Sequence, residues 1–75
     1  MTINEEKIDE VALALLYLTL HDGFRAWKSF DRTVLGRLHA KGLIGDPVGK
    51  TKSVAFSDEG LRESKRLFEA LFTKP

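Results

Sequence analysis

Asp31–Leu61, with the sequence DRTVLGRLHAKGLIGDPVGKTKSVAFSDEGL, is the segment whose pattern decides the fold. Asp31 is a typical helix N-cap, because its carboxylate can accept hydrogen bonds from the first free backbone N–H groups. Gly42 is a typical stop, since glycine adopts the left-handed backbone conformation that ends many helices. Between them, apolar residues recur at helical spacing at Val34, Leu35 and Leu38. The segment therefore begins with an amphipathic helix.

A β-hairpin is predicted in the second half of this segment. Leu43 and Ile44 begin a short strand, and residues 45–49 are rich in the glycine, aspartate and proline that favour turns. Ser53–Phe56 then alternates between polar and apolar residues as a returning strand does. The tip of the hairpin, Lys50–Lys52, is basic.

Two more helices flank the segment. Asn4 can cap the first, which we expect to stop at Gly23, and Ser57 can cap the last. The inward face of the last helix is predicted to comprise Leu61, Phe68, Leu71 and Phe72. The stretch 24–30 predicts one helical turn or an extended piece, with Trp27 and Phe30 anchored in the core.

The chain has 75 residues, which leaves room for one domain only. With 43% hydrophobic and 31% charged residues, its composition is that of a folded globular protein. We therefore predict a single domain over residues 1–75, of the α+β class and mostly helical. It should have three main helices and a two-stranded β-hairpin between the second and the third.

The first helix carries two apolar stripes, more than one small domain easily covers. One stripe comprises Ile8, Val11, Ala12, Leu15 and Leu18, and the other comprises Leu13, Leu16, Tyr17 and Leu20. We predict that the second stripe is the interface of a homodimer. The alternative is that the C-terminal helix of the same chain covers it.

Charge is distributed unevenly along the chain. Residues 1–22 contain one basic and five acidic side chains, and residues 57–75 contain four of each. Residues 23–56 contain seven basic side chains against two acidic ones, a net charge of +5. A basic central stretch is the pattern expected where a chain meets a polyanion, although an ordinary solvated surface gives the same pattern.

The helix end at 37–44, the basic hairpin and the helix start at 54–61 together resemble the winged-helix regulators. The resemblance implies that the helix from Arg32 to Lys41 enters the major groove of double-stranded DNA, with Arg37 as the best candidate for a base contact. It also implies that the wing reaches flanking phosphates. The candidate nucleic-acid-binding residues are Arg32, Thr33, Arg37, Lys41, Lys50 and Lys52. The chain departs from the pattern in leaving only residues 24–30 for a supporting helix.

The whole chain, with residues 14–23 and 26–28 as its most distinctive parts, also resembles a family of short uncharacterised bacterial proteins. That resemblance implies no function.

Catalysis, metal binding and membrane insertion are not predicted. The chain has no cysteine, its two histidines fall on different predicted elements, and Ser57 is explained as a helix cap. The longest apolar run is far short of a membrane span, and the acidic N-terminus is unlike a signal peptide. We expect a cytoplasmic protein that is not an enzyme, with no cofactor and no metal.

Two functions remain open from the sequence. The first is a nucleic-acid-binding module, such as a dimeric DNA-binding transcriptional regulator. The second is a degenerate winged helix that serves as a protein-interaction or dimerisation module. The small residues Gly36 and Ala40 fit either one, since they permit close approach of a nucleic-acid backbone or of a second subunit. The two functions differ in whether the basic side chains share one face or are interrupted by acidic ones.

Overall fold

The computed structural model describes residues 1–75 and begins with a capped helix. Helix α1 spans Glu5–Leu16, and the Asn4 side chain accepts a hydrogen bond from the backbone N–H of Lys7 (3.1 Å). The cap is as predicted, but the helix ends at Leu16 rather than at Gly23. Tyr17–Thr19 tighten into a 3-10 turn, and the Thr19 hydroxyl donates to the Leu16 carbonyl oxygen (3.2 Å).

A tight turn then leads into the first strand. Asp22 and Gly23 both have positive φ angles (52° and 79°), which lets His21 and Arg25 face each other and exchange two backbone hydrogen bonds. Strand β1 spans Arg25–Trp27. Of the two conformations expected for residues 24–30, the extended one is therefore present.

Helix α2 spans Arg32–Ala40, as the sequence predicts. The Asp31 carboxylate accepts hydrogen bonds from the backbone N–H groups of Thr33 (3.0 Å) and Val34 (3.2 Å). Gly42 follows the helix with a φ of 76°, the left-handed conformation that glycine adopts most readily. Both ends of α2 are thus fixed by residues next to it in the sequence.

Strand β2 spans Ser53–Ala55 and pairs antiparallel with β1, so that Ala26 lies opposite Val54 and Trp27 opposite Ser53. The predicted hairpin between α2 and α3 is also present, in a short form. Ile44 makes one antiparallel bridge with Phe56, and the Gly45 N–H donates to the Ala55 carbonyl oxygen (2.8 Å). The returning strand therefore pairs on both edges, and its longer pairing is with β1.

Helix α3 spans Asp58–Phe72 and is capped by Ser57, whose hydroxyl oxygen accepts a hydrogen bond from the Gly60 N–H (2.9 Å). The same hydroxyl donates to the Gly42 carbonyl oxygen (2.6 Å), which ties the start of α3 to the end of α2. The α+β class is confirmed, with three main helices and, between the second and the third, an antiparallel hairpin reduced to the Ile44–Phe56 bridge.

The core lies between the three helices and the inner face of the sheet. The Ser64 hydroxyl of α3 is fully buried and donates to the Leu13 carbonyl oxygen (2.7 Å), so these two helices pack closely. The buried apolar residues are Ala12, Leu13, Ala14, Leu16, Ala26, Val34, Leu35, Leu38, Ile44, Val54, Phe56 and Leu67. None of the three helices has the length and hydrophobicity needed to cross a membrane.

Candidate functional site

A buried carboxylate joins α1 to α2. Asp9 is only 2% exposed and accepts hydrogen bonds from Arg37, with Nη2 to Oδ1 at 2.7 Å and Nε to Oδ2 at 2.9 Å. Lys41 Nζ lies 3.0 Å from Oδ2 of the same carboxylate. Glu5 completes the group, since its carboxylate accepts from Arg37 Nη1 at 3.0 Å. We call these four residues the Asp9 cluster.

The charges of the Asp9 cluster stabilise one another. The hydrogen bond from Arg37 lowers the pKa of Asp9, burial opposes this effect, and Lys41 adds to the lowering. The hydrogen bond to Asp9 in turn raises the pKa of Arg37, against a smaller opposing effect of desolvation. Asp9 is therefore ionised at neutral pH, as a buried carboxylate with two cationic partners should be.

This cluster engages Arg37 and Lys41, two of the predicted nucleic-acid-binding residues, within the chain. A bidentate base contact needs free guanidinium donors, and three of the five N–H groups of Arg37, on Nε, Nη1 and Nη2, are directed at Asp9 and Glu5. Lys41 is neutralised by the same carboxylate. The sequence could not show this arrangement, because the partners belong to different helices.

The other predicted nucleic-acid-binding residues lie at the surface. Arg32 and Thr33 are exposed in the first turn of α2. Lys50 and Lys52 are exposed in the loop before β2, and neither forms a salt bridge.

Gly36 has open space around it, so in one protomer its small size is not required by packing.

The structure brings Lys50 and Lys52 together with Lys28, which the prediction did not include. All three line an open recess of about 530 Å³ at the end of the sheet. We call it the lysine recess, and its full lining is Trp27, Lys28, Ser29, Gly49, Lys50, Thr51 and Lys52. No carboxylate is among these residues, so the recess concentrates positive charge.

Lys28 holds the recess in shape. Its ammonium group donates to the carbonyl oxygens of Pro47 (2.7 Å) and Gly49 (3.1 Å), and its backbone N–H donates to the Lys52 carbonyl oxygen (2.9 Å). The loop is thereby fastened to the end of β1. Lys28 also lines a neighbouring recess that contains Arg32 and one carboxylate, Asp46, so both a cation and an acidic side chain adjoin the lysine recess.

Trp27 is on the surface, which corrects the prediction that it anchors the core. It is 47% exposed, whereas Ala26 next to it is fully buried. Strand geometry explains the difference, because successive side chains of a strand point to opposite faces. The sequence does indicate this alternation, because the small residue Ala26 stands between the large residues Arg25 and Trp27. Phe30 does pack against the core, as predicted.

The predicted dimer interface lies mostly inside the protomer. Leu13 is 2% exposed and Leu16 is fully buried, so neither can reach a second subunit in this conformation. Tyr17 packs on Phe68 of α3 with ring centroids 5.4 Å apart, and Leu20 packs against the core. The second apolar stripe of α1 is therefore covered by the C-terminal helix of the same chain, which was the alternative to a dimer interface.

The other stripe of α1 remains partly open instead. An apolar groove of about 420 Å³ runs between α1 and the start of α2, and Ile8 in it is 41% exposed. The residues that line this groove are Lys7, Ile8, Val11, Ala12, Leu15, Phe30, Asp31 and Val34.

Both histidines form hydrogen bonds with backbone carbonyl groups. His21 Nδ1 lies 2.8 Å from the Thr19 carbonyl oxygen, and His39 Nδ1 lies 3.0 Å from that of Ile44. Since a carbonyl oxygen only accepts, each Nδ1 carries the proton. No three histidine, aspartate or glutamate side chains converge as a metal site would require.

Comparison with known proteins identifies relatives of the whole chain. No solved structure matches it. A protein of Sinorhizobium fredii (strain NBRC 101917 / NGR234) named "Uncharacterized protein y4hR" is 57% identical over 74 residues, which covers 99% of this chain and all of the relative. The predicted resemblance to short uncharacterised bacterial proteins is confirmed. Residues 4–74 match the family described as "Domain of unknown function (DUF6429)", and the chain belongs to this family.

Proposed function

We propose that the protein is a small nucleic-acid-binding module of the cytoplasm. The observation that carries the proposal is the lysine recess, whose lining contains three lysines and no carboxylate. Phosphate contacts from lysine and arginine supply most of the affinity of proteins for nucleic acid, because binding releases condensed counterions. Lys50 and Lys52 have no partner within the chain and are free to make such contacts.

In this proposal the domain is a variant of the winged helix. The order of α1, β1, α2, hairpin and α3 supports that reading, and the loop with Lys50 and Lys52 occupies the position of a wing. Only residues 28–31 separate β1 from α2, so a supporting helix is absent. With Arg37 engaged by α1, we assign the main contacts to the loop and to Arg32, and not to base reading along α2.

Charge reversal in the loop tests this function. We expect wild-type protein to raise the fluorescence anisotropy of a labelled mixed-sequence DNA saturably at low salt. The Lys50→Glu/Lys52→Glu variant should bind at least about tenfold more weakly, because two phosphate contacts become repulsive. The matched control is Lys65→Glu/Lys74→Glu, which changes the net charge equally at exposed positions in and after α3. Equal weakening by both pairs would refute the assignment of the site.

The apolar groove favours a second function, formation of a homodimer. Arg37 and Lys41, at the end of α2, contact Asp9 near the start of α1, so the two helices run in opposite directions. Lys7 and Asp31 therefore lie at opposite ends of the groove that they both line. A twofold axis through the groove would set Lys7 of one copy against Asp31 of the other, as a self-complementary interface requires.

Sedimentation equilibrium tests the dimer. At tens of micromolar we expect the mass of a dimer for the wild type and of a monomer for Ile8→Glu, because the added carboxylate would be buried without a partner. Val48→Glu is the control, since Val48 is 85% exposed and lies outside the groove. A monomeric wild type at these concentrations would contradict the assignment.

A further inference from the structure

We propose that Trp27 is a stacking platform for an unpaired base, so that the preferred ligand is single-stranded nucleic acid. The inference rests on the proposed function and names its substrate class. Trp27 is the sole tryptophan of the chain, and close to half of it remains in solvent at the edge of the lysine recess. The platform and the cations therefore belong to one continuous surface.

The backbone of Trp27 and one face of its indole have partners within the chain. The backbone N–H of Trp27 donates to Thr19 Oγ1 (3.0 Å), and the His21 ring stacks on the indole with centroids 4.5 Å apart and planes 26° from parallel. His21 is fixed in turn by its bond to the Thr19 carbonyl oxygen. A ring backed in this way loses little conformational freedom when a base stacks on it, which favours binding.

The outward face of the sheet adds a fourth cation. Arg25 lies two residues before Trp27 on β1, so both side chains point to the same face. The Arg25 guanidinium donates from Nε (2.9 Å) and Nη2 (2.6 Å) to Ser53 Oγ and forms no salt bridge, so its charge is uncompensated. Lys28, Lys50 and Lys52 thus line the recess together with Trp27, and Arg25 shares the sheet face of the indole through its bond to Ser53, the cross-strand neighbour of Trp27.

This combination distinguishes single strands from duplexes. In a duplex the faces of the bases are stacked on one another, whereas in a single strand they are available to an aromatic side chain. Cations that follow the backbone, together with an aromatic ring that stacks on a base, are the two elements of single-strand binding. A surface that binds only the phosphates of a duplex would use the lysines, but an exposed indole would add nothing to its affinity.

The emission of Trp27 reports stacking directly, because no other tryptophan contributes. We would titrate full-length protein at low salt with a thymidine oligonucleotide of about ten nucleotides, and with a mixed-sequence duplex of the same length. We expect saturable quenching by the single strand, tighter binding of the single strand than of the duplex, and little quenching by the duplex.

Variants are compared by the anisotropy of the labelled single strand. Trp27→Ala should weaken binding by about fivefold to a hundredfold, and Trp27→Phe should restore most of it. Phe24→Ala is the matched control, since Phe24 is 48% exposed next to the same strand but does not line the recess. Phe24→Ala should change the affinity by no more than about twofold. Circular dichroism serves to check that each variant is folded.

The failures of the two proposals are distinguishable. If duplex and single strand bind equally, without quenching and without an effect of Trp27→Ala, the stacking inference is wrong and the nucleic-acid function stands. If neither binds at low salt, both are wrong. If binding persists in Trp27→Ala and is lost in Phe24→Ala, the aromatic ring that contacts the ligand is Phe24 and the inference about Trp27 is wrong.

Discussion

Gly60→Ala should lower the free energy of unfolding by about 3 kcal/mol or more. Gly60 lies in the first turn of α3, against the backbone of Leu43. A Cβ atom at this position would overlap the Leu43 carbonyl oxygen and lie 2.6 Å from the carbonyl carbon. Backbone cannot move aside as a flexible side chain can, so α3 would have to shift. The shift would strain the hydrogen bond from the Ser57 N–H to the Leu43 carbonyl oxygen (3.0 Å).

Urea denaturation followed by circular dichroism measures this change, and Gly36→Ala is its control. Gly36 is also helical but has open space around it, so alanine there should stabilise the protein by about 0.5–1 kcal/mol through helix propensity. The two variants make the same substitution and should have effects of opposite sign. Stabilisation by Gly60→Ala would contradict the packing of α3 on Leu43.

Asp9→Asn should have the second largest effect, a loss of about 2–4 kcal/mol in the free energy of unfolding. The amide cannot serve as a charged acceptor, so Arg37 and Lys41 would be left facing each other without the carboxylate between them. Both cations can still reach water in part, which keeps the cost below that of a fully buried unpaired charge. Glu6→Gln, a neutralisation at an exposed position of α1, should change stability by only a few tenths of a kcal/mol.

The pH dependence of stability identifies the Asp9 charge as the cause. The pKa of Asp9 is lowered in the folded protein from its ordinary value of 3.8. Its ionised form therefore contributes stability that is fully present above that value and is lost as the pH falls through the lowered pKa. The stability curves of wild type and Asp9→Asn should be parallel near neutral pH and converge in strongly acidic solution. A constant difference at all pH values would assign the effect to packing instead.

The helix starts could be predicted because their causes are local. Asn4, Asp31 and Ser57 each accept a hydrogen bond from a backbone N–H two or three residues further on. A cap of this kind depends only on a few adjacent residues, so the sequence contains all the information needed. Gly42, whose conformation ends α2, belongs to the same category.

The choice of buried face could not be predicted, because it depends on a distant part of the chain. Both stripes of α1 are apolar, and the buried one is set by the docking of α3, where Ser64 bonds to Leu13. Dependence on a distant part of the chain also explains why the main pairing of the sheet could not be predicted. Ser53–Ala55 alternates like a strand, but its longer pairing is with Arg25–Trp27, far away in sequence. Periodicity identifies a strand without identifying its partner.

The candidate site was predicted in part for related reasons. A basic loop rich in turn residues lies at the surface in almost any fold, so Lys50 and Lys52 were found from composition and position. Arg37 also looked available, because its partners in α1 are close only after folding. Trp27 was missed as a surface residue since a large aromatic in a small domain is more often buried.

The salt dependence of single-strand affinity tests the central claim most directly. If Arg32 and the four cations on the Trp27 surface all contact phosphates, the logarithm of the association constant should fall with the logarithm of salt concentration with a slope of about −3.5. Lys50→Gln/Lys52→Gln should reduce the magnitude of that slope by about 1.4, since two contacts are lost. The control Lys65→Gln/Lys74→Gln should leave it unchanged. A slope that is the same in wild type and Lys50→Gln/Lys52→Gln would contradict the assignment of this surface to nucleic acid.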